Sequence, residues 1–140
     1  MDRYMGRVSG LLMDRIDLHL HVPPVPFEHL SGDGQGSSTA QVREHVSTAR
    51  RIQQARFRSV AAVNANGQMR AMGLRQWCRP SRAVSRLLQR AVDRMGLSAR
   101  SCHRILKVAR TNADRGGAES IRSGGAAEAL QYRYMDHVRG

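Results

Sequence analysis

Residues 16–22, "IDLHLHV", put Ile16, Leu18, Leu20 and Val22 on one side of the chain and Asp17, His19 and His21 on the other. A period of two sustained over this stretch predicts a half-buried strand, with the histidines on its solvated face. The next segment, "PPVPFEHLSG", carries Pro23, Pro24 and Pro26, which forbid a helix or a central strand there. "SGDGQGSST" then reads as a flexible loop.

From Ser38 the pattern turns helical. Ser38 with Gln41 three residues on is a capping box, and Val42, Val46, Ala49 and Ile52 keep helical spacing to about Phe57. Arg43, Arg50, Arg51 and Arg56 cover the other positions, which predicts an amphipathic helix with a basic outer face. Residues 58–70 show no clear period, and Asn66-Gly67 is a turn signal. Ser81 can cap a helix with the stripe Val84, Leu87, Leu88, Ala91 and Met95, stopped by Gly96. Ser98 can cap the next, with Cys102, Ile105, Leu106, Ala109 and Ala113 inward and Gly116-Gly117 ending it. A link through Ile121 leads to Ser123 and a last helix around Ala127 to Tyr134.

The predicted fold class is therefore mainly α. A strand-bearing arm (1–37) precedes a connecting helix and linker (38–80), and a bundle of about three helices closes the chain (81–140). A lone strand has no sheet to join and exposes its backbone donors, so the arm is expected to be the mobile part.

Composition agrees with helices. The chain has 140 residues, enough for one domain with or without a tail, and is 41% hydrophobic but only 4% aromatic. Its core must come from Leu, Val, Ile, Met and Ala, more the chemistry of helices than of strands. The net charge of +12 is almost all arginine, since Lys107 is the only lysine. Arginine recognises phosphate in a planar, bidentate way, so a polyanionic partner is one reading; a solvated surface rich in arginine is the other. Cys78 and Cys102 form no paired-spacing motif, which suits a reduced, cytoplasmic protein. No apolar run approaches the ~18 residues of a membrane span, so no membrane partner is expected.

Few stretches carry chemistry. Nothing matches G-x-x-x-x-G-K-[ST], and no paired acids follow an apolar strand, so this chain alone is not expected to hydrolyse nucleotide. His19 and His21 could begin a zinc site, but no further ligand is spaced to finish it, so no metal is expected. Cys78, beside Trp77 and Pro80, reads as packing more than as a nucleophile. In "GLSARSCHRILKVARTNAD", Arg100 falls in the first turn of a helix, where backbone N–H groups favour an anion, and Arg104 follows one turn later on the same side. The alternative is that both arginines only solvate the helix. Finally, "LLMDRIDLHLHVP" sets Arg15 between Asp14 and Asp17, a charged cluster at the mouth of the strand.

"SGLLMDRIDLHLHVPPVPFEHLSG" resembles the pattern S-G-P-L-L-D-R-I-D-L-H-x-x-V-P-x-V-P-[YF]-x-x-L of magnesium-chelatase-like AAA+ ATPases of the ComM/YifB competence type. "GLSARSCHRILKVART" and "AEALQYR" resemble the C-terminal signature of the same family, in the same order. The resemblance runs from about residue 6 to residue 134. It implies the end of an AAA+ core, a connecting helix and a helical lid, from a ring-forming ATPase that uses ATP and magnesium and acts on DNA. It further implies that Arg15 is an arginine finger directed in trans at a neighbouring subunit's ATP. Asp14 and Asp17 would orient that finger while no nucleotide is bound. Arg100 takes the place of the sensor 2 arginine, which reads the γ-phosphate, with Arg104 and Arg110 as further nucleotide-sensing candidates.

The sequence departs from the family in three respects. The Walker motifs are not within it, so the chain is expected to be a C-terminal piece, or a truncated remnant, that needs an upstream AAA+ core as partner and binds no ATP by itself. Leu11 stands where the family pattern has proline, and Gly124-Gly125 stand where larger residues usually open the last helix. Two glycines there should weaken that helix by roughly 1–2 kcal/mol. The rival reading is an autonomous basic helical module that binds nucleic acid without nucleotide.

Overall fold

The computed structural model describes residues 15–20, 22–26 and 36–133. Among the described residues five helices follow one another: α1 (Thr39–Phe57), α2 (Ala71–Trp77), α3 (Arg82–Met95), α4 (Ala99–Arg115) and α5 (Ser123–Gln131), with a 3₁₀ turn at Asn66–Gln68 between α1 and α2. Their boundaries have local causes. At α1 the Gln41 N–H donates to Ser38 Oγ at 3.2 Å and the Ser38 N–H donates to Gln41 Oε1 at 2.9 Å, so two backbone donors that the helix would leave orphaned are satisfied. Ser81 and Ser98 accept from the N–H groups of Val84 and Ser101 in the same way. Gly96 ends α3 in the left-handed region at φ 57, and its N–H donates to Val92 O at 2.8 Å.

Helix α4 is the axis on which the rest is assembled. It packs against α5, α1, α2 and the 3₁₀ turn, while α3 packs against α5. The core joins Val84, Leu88 and Ala91 of α3 to Ile105 and Ala109 of α4 and Ala126 and Ala129 of α5. Small residues let α4 and α5 approach closely. Asn112 Nδ2 donates to Gly125 O at 3.2 Å, and a Cβ on Gly125 would meet Asn112 Cβ at 3.5 Å. Phe57 and Trp77 close the far end edge-to-face, with ring centroids 5.1 Å apart.

Two expectations from periodicity turn out differently. Helix α1 buries Ala49, Gln53 and Phe57, but residues 39–47 are all exposed, and Val42 and Val46 continue its apolar stripe beyond the bundle. In the arm, no strand is present among the described residues. The apolar positions are not the buried ones: Ile16, Leu18, Leu20 and Val22 are 41%, 46%, 67% and 77% exposed and Asp17 is exposed too, while His19 is 7% exposed. Residues 15–20 lie against α4 and the end of α5, and backbone groups that a sheet would satisfy find partners just past α5. The His19 N–H donates to Tyr132 O at 2.7 Å, and Arg133 Nη1 donates to Ile16 O at 2.5 Å. His21, Tyr134 and Asp14 lie outside the described residues. Among the described residues no helix is long and apolar enough to cross a membrane.

Candidate functional site

The first turns of α4 carry Arg100, His103, Arg104 and Lys107 at spacings of three and four, which places them along one side of the helix. They line a cleft of about 400 Å³ with Met69, Ala71 and Leu74, closed at one edge by the 3₁₀ turn. Lys107 Nζ donates to Gly67 O at 2.8 Å, which ties the cationic side of α4 to that turn. Arg100 and His103 are exposed, whereas Arg104 and Lys107 are half-buried. Burial pushes the Lys107 ammonium below its usual range; the Asp17 carboxylate works against that shift and the Arg104 charge adds to it.

Asp17 is the acidic side chain that lines this cleft. Its Oδ1 accepts from Arg104 Nη1, and the same nitrogen donates to Arg15 O at 2.9 Å. One guanidinium thus holds the arm at two nearby points. The expectation that Asp17 orients the Arg15 side chain is replaced by this pairing, in which the carboxylate goes to a helix-borne arginine. Arg15 itself is exposed, and its carbonyl is the group α4 grips. Arg100 stands open at the cleft, and Arg104 is engaged with the arm. A second cleft of about 370 Å³, mostly apolar, lies between Leu18 and Leu20 of the arm and Val108 and Thr111 of α4.

Arg110 does not face the cleft. It is 3% exposed, its Nε donates to Asp114 Oδ1 at 3.1 Å, and its Nη1 and Nη2 donate to Glu119 O and Ala118 O at 2.7 and 2.5 Å. As a nucleotide-sensing candidate it is excluded, because each of its nitrogens is committed inside the fold. The centre it serves was not anticipated. Asp114, fully buried, accepts two bonds from Arg56 of α1 at 2.7 and 2.5 Å and one from Asn66 Nδ2 at 2.7 Å. Asn66 also draws its N–H to Gln53 Oε1 at 3.0 Å. Burial by itself would raise the Asp114 carboxyl, but hydrogen bonds from Arg56 and Asn66 and the charges of Arg56 and Arg110 hold it below the usual carboxylate range. The available signal was an i,i+4 Arg–Asp pair bordering the apolar stripe of a core helix.

The cysteines carry no activation. Cys78 is buried and its thiol is pushed up to about 11 by burial, and burial also raises Cys102. Among the described residues no group of three or more His, Cys, Asp or Glu side chains gathers as a metal site.

The sequence that builds this helical scaffold matches a known family. Residues 36–133 match the family model for the C-terminal part of magnesium chelatase subunit ChlI, and the chain belongs to that family. Along almost its whole length it is similar to ComM/YifB-type proteins. It is 40% identical over 134 residues to the competence protein ComM of Haemophilus influenzae, covering 95% of this chain and 25% of that protein. It is 35% identical over 137 residues to YifB of Escherichia coli, covering 97% and 26% respectively, and 34% identical to YifB of Salmonella typhimurium over the same span. The chain therefore spans about a quarter of the length of these relatives.

Proposed function

We propose that this chain is the C-terminal portion, including the lid, of a magnesium-chelatase-like AAA+ ATPase of the ComM/YifB type, and that the α4 cleft faces the phosphates of ATP. The observation that carries this reading is the row of Arg100, His103, Arg104 and Lys107 around one cleft, with the segment bearing Arg15 against its rim. Residues 1–37 would then end the AAA+ core, 38–80 connect, and 81–140 form the lid. The exposed face of Ile16, Leu18, Leu20 and Val22 would become the buried side of a strand once the core sheet is beside it.

The cleft fits a phosphate tail. Arg100 is free to present a planar fork to γ-phosphate oxygens, and Lys107 offers a compact charge held by the Gly67 carbonyl. Arg15, exposed at the surface, acts as a finger toward ATP held by a neighbouring subunit of a ring. Hydrolysis spreads negative charge over the γ-phosphoryl oxygens, and a guanidinium delivered from outside stabilises that charge in the transition state. When ATP and magnesium are bound, the metal shares in neutralising this charge, with ligands from the core. The net charge of +12 and the exposed arginines of α1 would bring the assembly to DNA in the cytoplasm.

The test uses the full-length parent protein. Arg100→Ala should lower ATP turnover at least about tenfold while leaving ATP binding within a few-fold, the pattern of a group that acts in the transition state. Unchanged turnover in Arg100→Ala would contradict the reading.

A further inference from the structure

We propose that Asp17 is a resident carboxylate occupying the phosphate place in the α4 cleft, so that a phosphate-bearing ligand displaces it and frees the segment carrying Arg15. The inference rests on the reading of that cleft as phosphate-facing.

A guanidinium that pairs with a carboxylate offers the same planar donors to a phosphate, and the phosphate brings more charge and more acceptor oxygens. Arg104 is the point of competition, because its Nη1 serves Asp17 Oδ1 and Arg15 O together. A ligand that takes Arg104 therefore removes two tethers of the arm at once. Asp17 is well placed to yield. Its side chain is 46% exposed, and exposed ion pairs are held weakly. The cleft is also unbalanced in charge: Arg100, Arg104 and Lys107 line it with Asp17 as the acidic side chain among the lining residues. A dianionic or more highly charged ligand relieves that excess better than a single carboxylate does.

Release of Arg104 bears on the rest of the arm through chain continuity. Asp17 lies between Ile16, whose carbonyl accepts from Arg133, and His19, whose N–H donates to Tyr132 O. These two bonds do not involve Arg104 and flank the residue it holds. Docking of the arm and binding of phosphate thus oppose each other, and by linkage the factor by which phosphate loosens the arm is the factor by which the arm weakens phosphate. The consequence is that one chain couples occupancy of its own cleft to the availability of Arg15, the residue assigned to act on a different subunit.

The test takes the 140-residue chain with inorganic pyrophosphate as probe, followed by calorimetry and by hydrogen exchange of the His19 amide. Asp17→Asn should bind pyrophosphate about five- to tenfold more tightly than wild type, since it removes a competing charge next to the ligand. Asp93→Asn, the same charge change on the exposed face of α3, should bind as wild type does. Saturating pyrophosphate should speed exchange at His19 in the wild-type chain, and Arg104→Ala should show fast exchange with no ligand present. Equal affinity in wild type and Asp17→Asn, with His19 exchange unmoved by bound pyrophosphate, would overturn the displacement while leaving a phosphate-facing cleft. Absence of binding in both proteins at millimolar pyrophosphate would overturn the displacement, whereas the phosphate-facing reading stands or falls with Arg100→Ala in the full-length protein.

Discussion

Arg56 of α1 and Asp114 of α4, 58 positions apart in the chain, form a two-pronged ion pair at 2.7 and 2.5 Å inside the fold. The pair joins α1 to the bundle alongside the burial of Ala49 and Phe57. Arg110 and Asn66 complete the coordination of the same carboxylate, so α1, the 3₁₀ turn and the loop after α4 converge on a single buried charge.

Removal of Asp114 should therefore be severe. Asp114→Leu leaves two guanidinium groups buried without their carboxylate and should cost about 3–5 kcal/mol, read as a lowered midpoint in urea unfolding. The double change Arg56→Met with Asp114→Leu should recover part of that loss, because the unpaired buried charge is smaller. A double mutant that is less stable than Asp114→Leu would show that the pair does not carry this junction.

The same carboxylate sets an acid limit. Its folded-state pKa is depressed, so the stability it contributes is fully present above its unfolded value of about 3.9 and is lost as pH falls through the lower folded value. Unfolding free energy measured from neutral pH downward should fall with acid below about pH 4 more steeply in wild type than in Asp114→Asn. Parallel pH profiles for the two proteins would contradict the assigned shift.

Two glycines should respond in opposite directions. A Cβ at Gly124 meets nothing within 4 Å, so Gly124→Ala should stabilise by about 0.4–1 kcal/mol through the unfolded chain. A Cβ at Gly73 would lie 3.1 Å from the Trp77 ring and 3.3 Å from Met69, so Gly73→Ala should destabilise by about 1–3 kcal/mol. Thermal unfolding that ranks the two changes the other way would refute this account of α2 and α5.

These contrasts show which parts of the fold were legible in the sequence. Caps are short-range chemistry, and Ser38, Ser81, Ser98 and Gly96 stand where hydroxyl spacing and glycine placed them. Stripes on α3 and α4 were equally readable, because burial there follows the helical period. The Asp114 centre was not, since a buried charge is identified only by partners that arrive from Arg56 and Asn66, far away in sequence. In the arm the period does not translate into a buried apolar face: His19 is the buried side chain there, and the apolar positions are exposed. Alternation reports that one face seeks burial, and in residues 15–20 that apolar face stays exposed while backbone bonds to Arg104, Arg133 and Tyr132 fix the segment. Arg100 and Arg104 were both legible as a pair on one side of α4, but the carboxylate that meets Arg104 came from a residue assigned to Arg15.

As the proposed finger, Arg15 would act across a subunit boundary on ATP held elsewhere. In the full-length parent, Arg15→Ala should lose turnover by about 10³-fold with ATP affinity little changed, and Arg15→Lys should not restore it, because a point charge lacks the planar fork. The most direct measurement mixes two inactive proteins: Arg15→Ala subunits, and subunits that cannot bind ATP but keep Arg15. Return of ATP turnover in the mixed rings is the predicted result, whereas mixtures no more active than their parts would show that Arg15 does not act in trans.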